Sequence, residues 1–249
     1  MFKYKLLVWR IAWLLVAPLK QLLVKLRVEG LEHVPREGGA VIACNHTLGP
    51  DYIVLAYASP RELYYMAKAE AFEWHPILTK ILLGGGVFPV RRGKNDVAAL
   101  QNAVELARSG KLIGMFPEGT RSRTAALTRA KTGAARIALE AGVPVIPAAV
   151  IGAQKIGKDW RPWRRTEVIV RFGSPLYRQG NGDIARQYTD EIMLAIAALL
   201  PPEQRGEYAH GAPPETRSSL PSTHTARDGA GDSSINAGVA GSPEQKTRP

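Results

Sequence analysis

Short apolar runs alternate with amphipathic stretches from about Gly38 onward, the pattern of an α/β domain. The runs Ala40–Cys44, Leu63–Met66, Val87–Val90, Leu112–Phe116, Val145–Val150 and Thr166–Phe172 predict strands. Between the third and fourth, Val97, Leu100, Val104 and Ala107 recur at helical spacing, and Gly110 supplies a carboxy-terminal stop. A second helix is predicted over Lys131–Ala141. A third covers Asp183–Leu200, where Ile184, Tyr188, Ile192, Ala195, Ile196 and Leu199 form one apolar stripe that Pro201 and Pro202 terminate. The expected fold is a single α/β domain over residues 29–202, with a mixed, mainly parallel sheet flanked by helices.

Both ends of the chain depart from this alternation. Residues 1–28 are apolar and basic, but the longest uncharged run, Ile11–Leu19, would extend only about 14 Å as a helix. A bilayer core is roughly 30 Å thick. A perpendicular span would bury Arg10 or Lys20, and Pro18 interrupts the helical ladder. The segment therefore predicts an anchor of two short amphipathic helices lying in a membrane interface, Lys3 and Arg10 on one face and Trp9 and Trp13 at headgroup depth. The alternatives are a helical hairpin packed on the domain's own core, and a signal peptide, for which no small-x-small cleavage site is present after the apolar run. Beyond Glu203 the sequence is rich in Gly, Ala, Ser, Thr and Pro. Such a stretch buries too little apolar surface to offset its ordering entropy, so residues 203–249 read as a disordered tail.

Charge adds a partner to this picture. Lys and Arg number 33 against 22 Asp and Glu, a net charge of +11, and the excess lies in the first 202 residues, with 28 basic and 16 acidic. An anionic partner is implied, whether lipid headgroup, phosphorylated substrate or nucleic acid. Nucleic acid is disfavoured, because zinc-finger spacing, an RNA-binding aromatic signature and a basic-region zipper are all missing. One cysteine, Cys44, excludes an intramolecular disulfide and points to a reducing compartment. No carboxylate and histidine cluster has metal-ligand spacing, so no metal is expected. His33, His75, His210 and His224 lie outside any motif and receive no role.

Two loops carry chemistry. The first strand runs into Asn45-His46-Thr47-Leu48-Gly49-Pro50-Asp51, which sets a histidine and an aspartate five positions apart beyond a strand's carboxyl end. Sites gather there in open α/β sheets. A turn at Gly49-Pro50, with Asp51 near a helix start, folds the carboxylate back onto one imidazole nitrogen and leaves the other to take a proton from a hydroxyl. The bland account of the same residues is a structural hydrogen bond or helix cap. The second loop is Phe116-Pro117-Glu118-Gly119-Thr120-Arg121-Ser122. Gly119 allows close approach of a ligand, Arg121 presents a fork suited to phosphate, and Glu118 either accepts from a glycerol hydroxyl or holds Arg121 in place. Cys44 beside His46 invites an acyl-enzyme on sulfur. It ends an apolar strand and faces away from its neighbour, which favours a core thiol.

Four blocks in order, Asn45-His46 with Asp51, Gly86–Arg92, Phe116–Ser122 and Val143–Pro147, resemble the motif blocks of the glycerolipid acyltransferase family, which includes the 1-acyl-glycerol-3-phosphate acyltransferases. The likeness covers residues 38–152. It implies His46 as the catalytic base and Asp51 as its partner in a His-x4-Asp dyad without a serine nucleophile, the acceptor hydroxyl attacking a thioester directly. It implies Arg92, Glu118, Gly119 and Arg121 as binders of the acceptor's glycerol phosphate, and Lys68 as a further contact. The fourth block, ending in Pro147, implies a strand and turn shaping the acyl side. The reaction implied by the resemblance is transfer of a fatty acyl group from acyl-CoA or acyl carrier protein to the sn-2 hydroxyl of 1-acyl-glycerol 3-phosphate, giving phosphatidate without a cofactor. The setting implied is an anionic membrane surface, the cytoplasmic face of the inner (plasma) membrane. Another lysophospholipid, a lyso-ornithine lipid or glycerol 3-phosphate fits the same motifs. The rival of another class is a non-catalytic basic protein that binds membrane or nucleic acid.

Overall fold

The computed structural model describes residues 7–91, 96–157, 165–180 and 184–211. Arg92 lies outside the described residues, as do Lys3 and everything after residue 211. Among the described residues the strands are β1 Val24–Glu29, β2 Ala40–Cys44, β3 Leu63–Lys68, β4 Val87–Val90, β5 Leu112–Met115, β6 Val145–Ile151 and β7 Thr166–Phe172. They form one sheet in the order β1-β7-β6-β2-β5-β3-β4. β6, β2, β5, β3 and β4 run parallel to their neighbours, and β7 reverses the direction by pairing antiparallel with β6. β1 then pairs parallel with β7, so the sheet is mixed and mainly parallel, as expected.

Composition explains the order. β2, at the centre, reads AVIAC and is buried at every position, which suits a strand covered on both faces. β1, at one edge, reads VKLRVE and exposes Lys25 and Arg27. The helices are α1 Leu7–Leu23, α2 Asp51–Ala58, α3 Pro76–Gly84, α4 Val97–Arg108, α5 Gly133–Ala141 and α6 Ala185–Leu199. α4, α5 and α6 close one face over Val41, Ala43, Ile113 and Val145. α2 packs on the opposite face over Ile42, Cys44, Ile146 and Val168, with Trp9 and Leu23 of α1 against the same cluster.

The structure differs from the expectation in three places. In the amino-terminal segment, α1 runs through Pro18, where a break between two helices was expected, and Val24–Glu29 is the edge strand β1. The alternation of VKLRVE has a strand's period of two, but it lasts only six residues and directly continues an apolar, basic helix, so β1 is masked by the segment before it. Pro147 lies inside β6, not at a turn: its carbonyl accepts the Gly173 N–H at 2.8 Å, and its ring nitrogen, which cannot donate, lies on the same side, just past Phe172, the last residue of β7. Residues 203–211, expected to belong to the tail, are ordered in short turns, and the Tyr208 side chain is buried. No helix among the described residues is long and apolar enough to cross a membrane.

Candidate active site

β2, β5, β3 and β4 are adjacent and parallel, so their carboxyl ends share one edge of the sheet. β2 delivers Asn45-His46 to that edge, β5 delivers Phe116–Ser122, β3 ends at Lys68 and β4 leads to Arg91. Ala43 pairs with Met115, and the pairing continues past the strands as bonds between the two loops. The His46 N–H donates to Glu118 Oε1 at 2.9 Å, and the Ser122 N–H donates to the His46 carbonyl at 2.8 Å. Asn45 ties the same loop to β6 on the other side. Its Nδ2 donates to the Val150 carbonyl at 3.1 Å, and its Oδ1 accepts the Val150 N–H at 2.8 Å, so the side chain stands in for a peptide group.

The turn through Gly49-Pro50 starts α2 at Asp51, whose carboxylate folds back over the loop. Asp51 Oδ2 accepts from His46 Nδ1 at 2.9 Å and from the Thr47 N–H at 2.6 Å, while Oδ1 accepts the Thr47 hydroxyl at 2.7 Å. Asp51 is fully buried and His46 is 9% exposed, so both sit in a site largely closed to water. With Nδ1 donating to the carboxylate, Nε2 is the nitrogen left to accept a proton. Phe116 stacks on the imidazole with ring centroids 4.1 Å apart, and the Tyr65 ring lies a further 6.2 Å from Phe116. Thr47, Phe116 and the Asn45 clamp were not assigned these roles from sequence. Thr47 is the one with a local signal, a hydroxyl beside the histidine and four residues before the aspartate.

Glu118 is buried too, and both its oxygens are spoken for. Oε1 takes the His46 N–H, and Oε2 takes the Thr128 N–H at 2.9 Å and the Thr128 hydroxyl at 2.8 Å. Neither the pairing with Arg121 nor the glycerol contact considered for Glu118 is what the structure builds: the carboxylate faces inward and Arg121 is exposed. Burial pushes the Glu118 carboxyl above its ordinary value, and the hydrogen bonds from His46 and Thr128 oppose that shift. Gly119 adopts φ +70°, closing a turn in which its N–H bonds the Phe116 carbonyl at 2.9 Å. Lys68, the last residue of β3, is exposed at this edge. Among the described residues no group of three or more His, Cys, Asp or Glu is placed to hold a metal ion.

The sequence profile of the Acyltransferase family matches residues 25–151, half of the chain, and includes the whole of this constellation. The chain belongs to the acyltransferase family. It is 31% identical to the 1-acyl-sn-glycerol-3-phosphate acyltransferase of Bacillus subtilis over 175 residues, 70% of this chain and 83% of that protein. To the 1-acyl-sn-glycerol-3-phosphate acyltransferase of Borreliella burgdorferi it is 29% identical, over half of each chain. The crystal structure of the 1-acyl-sn-glycerophosphate (LPA) acyltransferase PlsC from Thermotoga maritima shares the fold, with a TM-score of 0.59 at 21% identity over 77% of this chain and 76% of that one.

In this acyltransferase, cavities lie on both faces of the sheet, and neither is lined by His46 or Asp51 themselves. One, of about 230 Å³, is walled by apolar side chains of α1, α2 and α3, among them Val8, Trp9, Ile53 and Leu82, and by Tyr65, next but one to His46 in the ring stack. The other, of about 300 Å³, opens at Phe116 and Gly119 and is lined by Arg91, Lys131 and Arg136. Cys44 reaches neither. It is fully buried, and burial first, then the charges of Asp51 and Glu118, push its thiol well above its ordinary range. The folded protein is expected to resist an aromatic disulfide reagent at neutral pH, to react once unfolded, and to keep its turnover as Cys44→Ser. Fast labelling of the native thiol with loss of turnover would restore the sulfur mechanism.

Proposed function

We propose that this chain moves a fatty acyl group from a thioester, acyl-CoA or acyl carrier protein, to the free sn-2 hydroxyl of 1-acyl-glycerol 3-phosphate, giving phosphatidate. The observation that carries the reading is the enclosed His46–Asp51 contact at a sheet edge rich in cations, in a chain whose relatives bear the name of that activity. The acceptor hydroxyl gives its proton to His46 Nε2 as its oxygen attacks the thioester carbonyl. The carbon–sulfur bond then breaks, and the leaving sulfur takes the proton back from the imidazolium. One ester forms, one thioester is lost, and the reaction asks for no cofactor.

Asp51 stabilises the imidazolium in a site where little water competes, and Thr47 holds the carboxylate in the required rotamer. Arg121, Lys68 and Arg92, with Gly119 allowing close approach, bind the acceptor phosphate, while Glu118 fixes the histidine loop. The apolar cavity beside Tyr65 suits an acyl chain.

The same reading accounts for the exposed faces of α1 and α3, two of the three helices that wall this cavity. Leu7, Ile11, Leu14, Leu15, Leu19 and Leu22 project from α1, and Trp74, Ile77, Ile81 and Leu83 from α3 and the loop before it. The Trp9 indole N–H donates to the Gly85 carbonyl at 2.7 Å and ties α1 to the end of α3. Together they form an apolar platform with exposed Arg10 and Lys80, the character of a surface that lies on an anionic bilayer. The proposed setting is peripheral attachment to the cytoplasmic face of the inner (plasma) membrane, and the platform supports the attachment though not the choice of face.

His46→Ala is expected to lower kcat by roughly 10²- to 10⁴-fold, measured with defined acyl-CoA and acyl carrier protein donors and 1-acyl-glycerol 3-phosphate; parental turnover would remove the base. Replacing both Trp74 and Ile77 with Ser is expected to reduce co-sedimentation with phosphatidylglycerol vesicles while leaving turnover of detergent-dispersed acceptor intact. Unchanged sedimentation would discard the α3 contact.

A further inference from the structure

Glu118 holds the His46 backbone with one oxygen and Thr128 with the other, so one of the ties on the histidine loop runs through Thr128. Thr128 belongs to a stretch, Leu127–Lys131, that is neither helix nor strand, yet each of its N–H groups is engaged. The Leu127 N–H donates to the Gln204 carbonyl at 2.9 Å, and the Glu207 N–H answers to the Leu127 carbonyl at 3.1 Å. The Arg129 N–H donates to Glu207 Oε1 at 3.1 Å and the Ala130 N–H to the Tyr208 hydroxyl at 3.2 Å. Thr128 and Lys131 turn the other way, to Glu118 Oε2 and to the Pro117 carbonyl, each at 2.9 Å. Residues 127–131 are thus a strap with one edge on the site loop and the other on residues 202–208.

Those residues are themselves well seated. They form two 3-10 turns, Pro202–Gln204 and Gly206–Tyr208, directly after α6. The Tyr208 ring is 2% exposed and joins the core cluster that holds Leu127 and Ala130. Arg186 of α6, ion-paired with Asp190, donates to the Ala130 carbonyl at 2.9 Å. At Gly206, a Cβ would sit 2.0 Å from the Leu127 carbonyl oxygen, so any larger residue would force the two chains apart.

We propose that residues 202–208 are a positioning element for acyl transfer: by seating the strap they hold Thr128, and through Thr128 and Glu118 they fix the backbone of His46 where its imidazole meets Asp51. The inference rests on the general-base reading of His46. Thr128, Glu207 and Tyr208 act through Glu118 and the histidine loop. The element lies beyond the family match, which ends at residue 151, so it is a feature that the shared motif blocks do not contain. Since a displacement of about 1 Å in a reacting group costs on the order of 10²-fold in rate, a loosened strap lowers kcat while substrate contacts elsewhere survive.

The test uses the full-length enzyme. Tyr208→Phe and Thr128→Val are each expected to lower kcat roughly tenfold, with KM for donor and acceptor unchanged; Thr128→Ser, which keeps the hydroxyl, restores kcat. The double variant falls no further than the slower single variant, because both act on one strap. The His46 Nδ1–H proton resonance is expected to shift or broaden in Thr128→Val and Tyr208→Phe and to stay at its parental position in Thr128→Ser. Parental kcat together with an unmoved resonance overturns the inference, whatever the melting temperatures. A raised KM at parental kcat overturns it as well, since the strap would then be a substrate contact. His46→Ala is assayed alongside: if it keeps turnover, the general-base reading falls, and the resonance still decides whether residues 202–208 position the imidazole.

Discussion

A carboxylate buried against an imidazole is the interaction on which the rest of this molecule depends. Asp51 is fully buried, and an isolated ionised carboxylate there would be costly. It is tolerated because His46 Nδ1 and two groups of Thr47 donate to it. That arrangement requires the chain to reverse at Gly49-Pro50 and enter α2 at once, and it requires the histidine backbone to be held from outside the loop. Glu118 and Ser122 supply that hold from the loop after β5, and the Val150 backbone of β6 supplies it through the Asn45 side chain. The parallel register of β6, β2 and β5 is what brings those residues level with one another.

The sheet also sorts the surroundings of the dyad by chemistry. On the α1, α2 and α3 side the walls are apolar, and the ring series Tyr65, Phe116, His46 leads from that side to the base. On the α4 and α5 side the cavity carries three cationic side chains and Asp96 among apolar residues such as Val90, Val97 and Leu100. Under the proposed function, a lipid with an acyl chain and a phosphate would divide in the same way, which would give the charge excess of the first 202 residues and the apolar amino-terminal segment a common explanation.

Much of this was legible in the sequence, and the limits are instructive. Strands buried on both faces, such as AVIAC and VIPAAVI, announce themselves as unbroken apolar runs, and α4 and α6 by their stripes. β1 was hidden because VKLRVE, although it alternates as a strand does, is short and runs on from an apolar, basic helix of similar composition. Residues that share a loop were found together: His46 with Asp51, and Glu118 with Gly119 and Arg121. Thr128, ten residues from Glu118, and Tyr208, lodged in a compositionally tail-like stretch, make contacts that only the fold brings about. A lone tyrosine among Gly, Ala and Glu carries no pattern, although Tyr208 is buried and its hydroxyl accepts the Ala130 N–H of the strap.

The claim at the centre is direct attack by the acceptor hydroxyl, with His46 as base and no acyl-enzyme. Rapid-quench mixing with a radiolabelled acyl thioester, with and without 1-acyl-glycerol 3-phosphate, tests it most directly. Label is expected in lipid product only when the acceptor is present, with none bound to protein at any time. A stoichiometric burst of label on the protein before acceptor is added would contradict direct transfer.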